Sequence, residues 1–366
     1  AYINMGVELV EKGNLDAAIK YYKKALSLAP NHSEAYNNLG IAYNWLGNYE
    51  AAHEACSRAL QINPSYAEAR YNLGLILSNR GEKEAAIENY NQAILIDPNF
   101  ARPQNNLGLI YKNTGDLTCA FKCFKEAIRI NPEYAEAHYN LGNAFNQAGE
   151  QDSAIASFKE AIRINPEYAE AYYNVANIYI VQGDHIAAIK NYRKAIKIKP
   201  DYVIALNNLG LAFYDHGNLA AAVQKYRAAI KIDPEFAEAH HNLGVVLTDQ
   251  GKHEAAIDSY KKTLKIKPNH ASTHLNISAL KKYKRRDKHF MQMINILGQE
   301  DMSDEERCWL YFALSKASED LEDFASCFKF LEKGNRLRKE ILEYDISKDI
   351  KLFQNIKMKS VNIQDL

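Results

Sequence analysis

Eight of the chain's nine prolines, Pro30, Pro64, Pro98, Pro132, Pro166, Pro200, Pro234 and Pro268, follow one another at intervals of 34 residues, and only Pro103 stands outside the series. Proline removes a backbone donor and blocks helix continuation, so a periodic proline is periodic punctuation. A period of this size is one supersecondary unit that cannot bury its apolar face alone and must stack on its neighbours. The length of 366 residues therefore counts units and not globular cores.

The second unit serves as a template. Ser33 to Leu46 carries Leu39, Tyr43 and Leu46 at helical spacing, and Asn48 to Asn63 carries Ala52, Cys56, Ala59 and Leu60. The reading is a helical hairpin. Gly47 sits where the first helix stops and a left-handed cap is needed, and the same glycine returns as Gly13, Gly81, Gly115, Gly149, Gly183, Gly217 and Gly251. Asn14, Asn48, Asp116, Asp184 and Asn218 follow as N-caps of second helices, and Asn31, Ser65, Asn99, Asp201 and Asn269 are expected to cap the first helices after each proline. Small residues mark close approach. One row is Gly40, Gly74, Gly108, Gly142, Ala176, Gly210 and Gly244; another is Ala18, Ala52, Ala86, Ala120, Ala154, Ala188, Ala222 and Ala256. Tyr22, Tyr90, Phe124, Phe158, Tyr192, Tyr226 and Tyr260 fill the opposing volume.

This period, with its Leu-Gly, aromatic, Gly, Ala, aromatic, Ala and Pro positions, resembles the tetratricopeptide repeat. The resemblance runs from Ala1 to about Arg285, with Arg70, Gln104 and Leu206 departing from the early aromatic of the first helix. It implies an all-α, right-handed superhelix of helical hairpins, an α-solenoid, over residues 1–285, followed by a degenerate helical segment over 286–366. Tyr2-Ile3-Asn4-Met5-Gly6 enters in the middle of a first helix, so further chain is expected upstream of Ala1.

From Ser272 the period fades, Ser272 to Arg285 reading as a capping first helix and the run Lys281 to Lys288 as its solvated basic end. A further block starts at Ser303 with the acidic turn Asp304-Glu305-Glu306. Tyr311, Leu314, Phe324, Cys327, Leu331 and Gly334 lay over the repeat as one worn hairpin. The stretches Ala313–Leu321 and Phe330–Arg338 resemble the connecting helices of bacterial tetratricopeptide-sulfotransferase proteins. There, a strand and a phosphosulfate-binding loop would follow shortly after the region of Asp349 to Phe353.

Basic and acidic residues number 45 each, so no net field draws the chain to nucleic acid or an anionic membrane. Five cysteines, Cys56, Cys119, Cys123, Cys308 and Cys327, without a CxxC pair, argue against a disulfide framework or a zinc site and for a reducing compartment. Cys119 and Cys123, one turn apart, read as core thiols. With no membrane-length apolar run and no signal segment at its start, the chain is expected to be cytoplasmic.

No nucleotide, phosphate-loop, zinc-protease or serine-hydrolase motif is present, and the glycines are absorbed by repeat geometry. No catalytic residue, metal site or cofactor is expected. His138, the His240-His241 pair and His274 sit at variable aromatic positions, where a ring filling the repeat outweighs a metal ligand.

One constellation stands out. Asn4, Asn38, Asn72, Asn106, Asn140, Asn174, Asn208, Asn242 and Asn276 recur once per unit, each two residues before the Leu-Gly glycine position. The family resemblance places this row on the concave first-helix surface, and the ladder resembles that of O-GlcNAc transferase repeats. A carboxamide both donates and accepts, so a spaced row can pair with the backbone of an extended peptide without reading its sequence. The competing reading is that the asparagine satisfies neighbouring groups of the repeat. One residue earlier stand Asn37, Tyr71, Asn105, Tyr139, Tyr173, Asn207 and His241, and a turn earlier Glu34, Glu68, Glu136, Glu170 and Glu238. This setting suits a polar or basic peptide. A carboxylate clamp would want cations here, and only Arg70, Arg102 and Lys112 come near. The expected function is a protein-interaction scaffold. The alternative is the docking arm of a sulfotransferase-like or O-GlcNAc-transferase-like enzyme whose catalytic domain lies beyond Leu366.

Overall fold

The structure, a computed structural model, describes residues 1–299 and 301–343. Among these residues it has twenty helices and no strand, in two compact units, Ala1–Gly183 and Asp184–Leu366. The first unit holds α1 (Tyr2–Glu11), α2 (Leu15–Leu28), α3 (Ser33–Trp45), α4 (Tyr49–Ile62), α5 (Ala67–Asn79), α6 (Lys83–Ile96), α7 (Ala101–Thr114), α8 (Leu117–Ile130), α9 (Ala135–Gln147), α10 (Gln151–Ile164) and α11 (Ala169–Val181). The second holds α12 (His185–Ile198), α13 (Val203–Asp215), α14 (Leu219–Ile232), α15 (Ala237–Asp249), α16 (His253–Ile266), α17 (Ala271–Leu280), α18 (Lys288–Leu297), α19 (Asp304–Asp320) and α20 (Phe324–Ile341). Through α17, odd-numbered helices are the first of each hairpin and even-numbered ones the second. Asp349 to Phe353 lie outside the described residues.

The turns follow from local chemistry. Gly115 takes φ +87° between α7 and α8, a conformation an L side chain rarely adopts. Asn14, Asn48, Asp116, Asp184 and Asn218 each accept the backbone N–H three residues on, capping the second helices as expected. The residue after the proline does not cap the first helix. That place falls one residue later, on His32, Tyr66, Phe100, Tyr134, Tyr168, Tyr202, Phe236 and His270. The residue before the proline does the polar work. Asn63, Asp97, Asn131, Asn165 and Asp233 accept the N–H two positions on, closing an Asx turn around a residue that has no N–H of its own.

Packing within a hairpin turns on glycine against a ring. Phe158 of α10 is fully buried beneath Gly142 of α9, where an added Cβ would stand 2.7 Å from ring carbons. Fully buried alanines such as Ala154 and Ala161 let the helices close around that ring.

The C-terminal end departs from the expected capping helix. α17 stops at Leu280, and residues 281–287 form a linker into a separate helix, α18. The basic run is therefore no helix end. Lys281 pairs with Asp287, Arg286 pairs with Asp323 at 2.6 Å, and Tyr283 is buried among Phe290, Met293, Leu310 and Leu314. Ser303 and Glu306 form a capping box at the start of α19, which packs on α17 and α20.

Beneath this linker runs a buried polar chain. His274 Nε2 lies 2.8 Å from the Pro268 carbonyl, His274 Nδ1 is 2.9 Å from His289 Nε2, His289 Nδ1 is 2.6 Å from the Tyr283 hydroxyl, and that hydroxyl is 2.9 Å from Ser278 Oγ. A carbonyl only accepts, which assigns every proton in turn: His274 Nε2–H donates to Pro268, His289 Nε2–H to His274, Tyr283 to His289 and Ser278 to Tyr283. Both imidazoles are neutral. Burial lowers the pKa of His274 and pushes that of His289 down to about 3.

Candidate functional site

The asparagine row falls on the first helices, where most of its members are half-buried: Asn38 on α3, Asn72 on α5, Asn106 on α7, Asn174 on α11, Asn208 on α13 and Asn242 on α15, with Asn140 on α9 buried. Five rungs, Asn72, Asn106, Asn140, Asn174 and Asn242, reach back to the residue 35 positions earlier, on the first helix of the preceding hairpin. In the first unit, Asn72 Nδ2 donates to Asn37 Oδ1 at 2.8 Å, Asn106 Nδ2 to the Tyr71 hydroxyl at 3.3 Å, Asn140 Nδ2 to Asn105 Oδ1 at 2.9 Å and Asn174 Nδ2 to the Tyr139 hydroxyl at 3.2 Å. In the second, Asn242 Nδ2 donates to Asn207 Oδ1 at 3.0 Å. Asn79 to Asn44 at 3.0 Å repeats the offset two turns on. These five carboxamides are thus fixed in orientation, and Nδ2 of Asn106 and Asn174 also contacts the Tyr90 hydroxyl at 3.5 Å and Asn143 Oδ1 at 2.9 Å. The Oδ1 atoms of Asn106 and Asn208 also accept from Asn105 and Asn207, at 3.4 and 3.2 Å.

Family profiles for the tetratricopeptide repeat match residues 1–32, 33–66, 55–88 and 237–270, and a profile described as TPR repeat matches 75–115, 113–149, 142–183, 176–217 and 210–249. The chain belongs to the tetratricopeptide repeat family. No curated protein sequence matches it. Among solved tetratricopeptide structures, it resembles Pseudomonas aeruginosa pilF at 23% identity and TM-score 0.52, over 57% of this chain and 94% of that one. The C-terminal part of a TPR repeat-containing protein from Cytophaga hutchinsonii matches at 20% identity and TM-score 0.50, over 66% of this chain and 99% of that one. YrrB, described as a TPR protein with an unusual peptide-binding site, matches at 22% identity and TM-score 0.45, over 50% and 95%. The pilF and Cytophaga likenesses show the fold.

The tyrosines beside the ladder differ among themselves. Tyr71 is buried against Tyr90 and Phe100, with ring centroids 5.8 and 5.2 Å away, and offers its hydroxyl to Asn106. Tyr139 is half-buried and stacks on Tyr168 at 4.7 Å. Tyr173, half-buried on α11, is also engaged by a neighbour. These stacks expose a row that sequence reasoning passed over, the ring two residues after each period proline. Tyr66, Tyr134 and Tyr168 belong to it. Burial, with Glu68 and Glu34 close by, pushes the Tyr66 phenol up to about 12, and Tyr134 and Tyr168 are raised in the same way beside Glu136. The signal was in plain sight, since all eight tetratricopeptide prolines are followed at this offset by Tyr, Phe or His.

The histidines at the variable aromatic position are spoken for. The Nε2 of His138, His240 and His274 each contact the carbonyl of the proline six residues earlier, at 3.0, 3.0 and 2.8 Å. Among the described residues no group of three or more His, Cys, Asp or Glu is placed to hold a metal ion. Cys56 is fully buried, and its thiol is pushed up to about 12. Cys123 and Cys119 are half-buried on α8, Cys119 in its first turn and not in the core. No helix among the described residues is long and apolar enough to cross a membrane.

Proposed function

We propose that the first-helix face is a docking surface for an extended segment of a partner protein, and that this chain is a non-catalytic scaffold working in the cytoplasm. The observation that carries this reading is the pre-oriented carboxamide row. A carboxamide has two N–H donors and an acceptor oxygen. The rungs engage one partner through Nδ2 on Asn72 and Asn140 and two each on Asn106 and Asn174, leaving the second N–H of Asn72 and acceptor lone pairs along the row to meet the N–H and C=O of a bound backbone. Fixing the row in advance lowers the entropy lost on binding. Glu34 beside Tyr66 and Glu136 beside Tyr134 and Tyr168 favour a polar or basic segment, whose lysines or arginines would meet carboxylates and ring faces together, as Arg102 already does with Glu68 and the Tyr71 and Phe100 rings.

A second reading draws on the same bonds: the rungs serve only to zip adjacent repeats together. Asn106→Ala, Asn140→Ala and Asn174→Ala combined separates the two. Peptides selected from a displayed library on the wild-type chain are measured against this variant by calorimetry, alongside thermal melting. Docking predicts that affinity falls about 100-fold, at about 1 kcal/mol per lost bond. Unchanged affinity with a lowered melting temperature assigns the ladder to zipping alone.

A further inference from the structure

Net neutrality hides a charge pattern that the repeat register brings out on the second helices. In the first unit, the cation one residue before the end of α8 and α10 is neutralised by a carboxylate three residues earlier in the same helix. Arg129 pairs with Glu126 at 2.8 Å, and Arg163 pairs with Glu160 and with Glu133, both at 2.7 Å. In the second unit the corresponding cations persist as Lys197, Lys231 and Lys265, but the position of Glu126 and Glu160 is taken by Lys194, Ala228 and Lys262. A second row, Arg193, Arg227 and Lys261, runs beside the first one turn earlier. α12 and α14 contain no acidic residue at all. Among the described residues, Lys261 alone of these six is in an ion pair, an exposed one with Asp258 at 3.4 Å.

Both ends of these rows open into apolar grooves. Arg193, Lys194 and Lys197, with Lys190, border a groove of about 670 Å³ floored by Ile186, Ile189 and Phe213, and Ile186 is 69% exposed. The Arg193 guanidinium lies over the Phe213 ring at 5.4 Å. Lys261 and Lys265 border a second, more polar groove of about 910 Å³, where Leu264, Ile277, Met291 and Ile296 meet Arg285 and Lys288 of the linker and α18, and where the carboxylate of Asp287 is held by Lys281.

We propose that this second-helix face of the second unit binds an acidic, extended polypeptide, with an apolar side chain seated in each groove and carboxylates along the cation rows between them. Charge complementarity selects the partner's sign. The grooves select its class, because discrete apolar recesses between rows of cations match a chain that carries both carboxylates and aliphatic or aromatic side chains. A phosphate backbone presents no such side chains. The acidic ladder face lies on the other helix of each hairpin, so the scaffold would hold segments of opposite charge on its two faces.

The test uses the full chain and a fluorescently labelled, glutamate-rich peptide with a leucine near each end. Fluorescence anisotropy should report binding that weakens as salt rises, and the peptide with glutamine for glutamate should bind at least about tenfold more weakly. Lys194→Glu with Lys262→Glu returns the carboxylate that the first unit carries, at exposed positions that do not challenge folding. It should weaken binding at least about tenfold. Ile186→Ser should weaken it independently, while the triple ladder variant should leave it unchanged. The proposal is overturned by glutamine and glutamate peptides binding alike, by the two lysine substitutions having no effect, or by phosphatidylserine vesicles or single-stranded DNA binding more tightly than the acidic peptide.

Discussion

Phe158→Ala is expected to remove about 4 kcal/mol of unfolding free energy, the largest effect of any single substitution considered for this chain. The ring is fully buried, and the space beside it cannot be refilled from Gly142, which has no side chain. Tyr139, whose ring centroid lies 5.6 Å away, loses a packing partner at the same time. The measurement is urea unfolding, with hydrogen exchange to localise the loss, since repeat stability is a sum of unit and nearest-neighbour terms and a single transition is not assured. Protection should fall first in α9 and α10. Adding Gly142→Ala to Phe158→Ala should recover part of the loss, because a methyl group that clashes with the wild-type ring fills some of its cavity. A strictly additive double variant would refute this account of the glycine row.

Acid is expected to loosen the second unit before the first. His241, His270, His274 and His289 all have lowered pKa values, the first pushed down to about 4 and the last to about 3, chiefly by burial. A histidine whose folded pKa lies below its unfolded value binds fewer protons when folded. Its stabilisation is complete above the unfolded value near 6.5 and is lost as pH falls from there towards the folded one. His289 faces His274, Tyr283, Lys281 and Asp287. A proton added at His289 Nδ1 forces the Tyr283 and Ser278 hydroxyls to turn away, and one added at His274 Nδ1 sets two N–H groups against each other. For His241 and His289 together the cost by pH 4.5 is about 5 kcal/mol. Hydrogen exchange at pH 7 and pH 4.5 should show protection lost in α15 to α19 while α3 to α10 hold. His289→Asn, which cannot be protonated, should flatten the dependence. Equal acid sensitivity in the two units would count against the buried chain as its origin.

The repeat was legible because each position obeys a separate local rule. Gly115 requires a left-handed cap, Asp116 has a carboxylate to receive an N–H, and Phe158 needs a partner without a side chain. The cap of the first helix was misplaced by one residue, because Ser65 and Asn99 are typical capping residues while the Asx turns of Asn63 and Asp97 consume the N–H groups just past the proline. At the C-terminal end the period fails, so Lys288–Leu297 had no neighbour to be read against and the helix was missed. The ladder itself could be read from the chain, but its bonds could not. They join residues 35 apart, an offset fixed by how adjacent first helices lie against each other. The cation rows were hidden for a related reason, since net charge averages over faces that only the fold separates.

The rungs have a consequence for assembly of the chain itself. The stretch Phe124 to Ala137 recurs without change as Phe158 to Ala171, so during folding one hairpin could settle where its neighbour belongs. The acceptors of the rungs do not repeat in that way. Asn37, Tyr71, Asn105 and Tyr139 alternate carboxamide with phenol, and each phenol brings a ring that seats on Phe100 or Tyr168. A slip by one hairpin would leave a ring where a carboxamide fits and a void where a ring fits. From Asn37 to Tyr139 the alternation tells odd repeats from even ones, a parity check that ends where Tyr173 follows Tyr139.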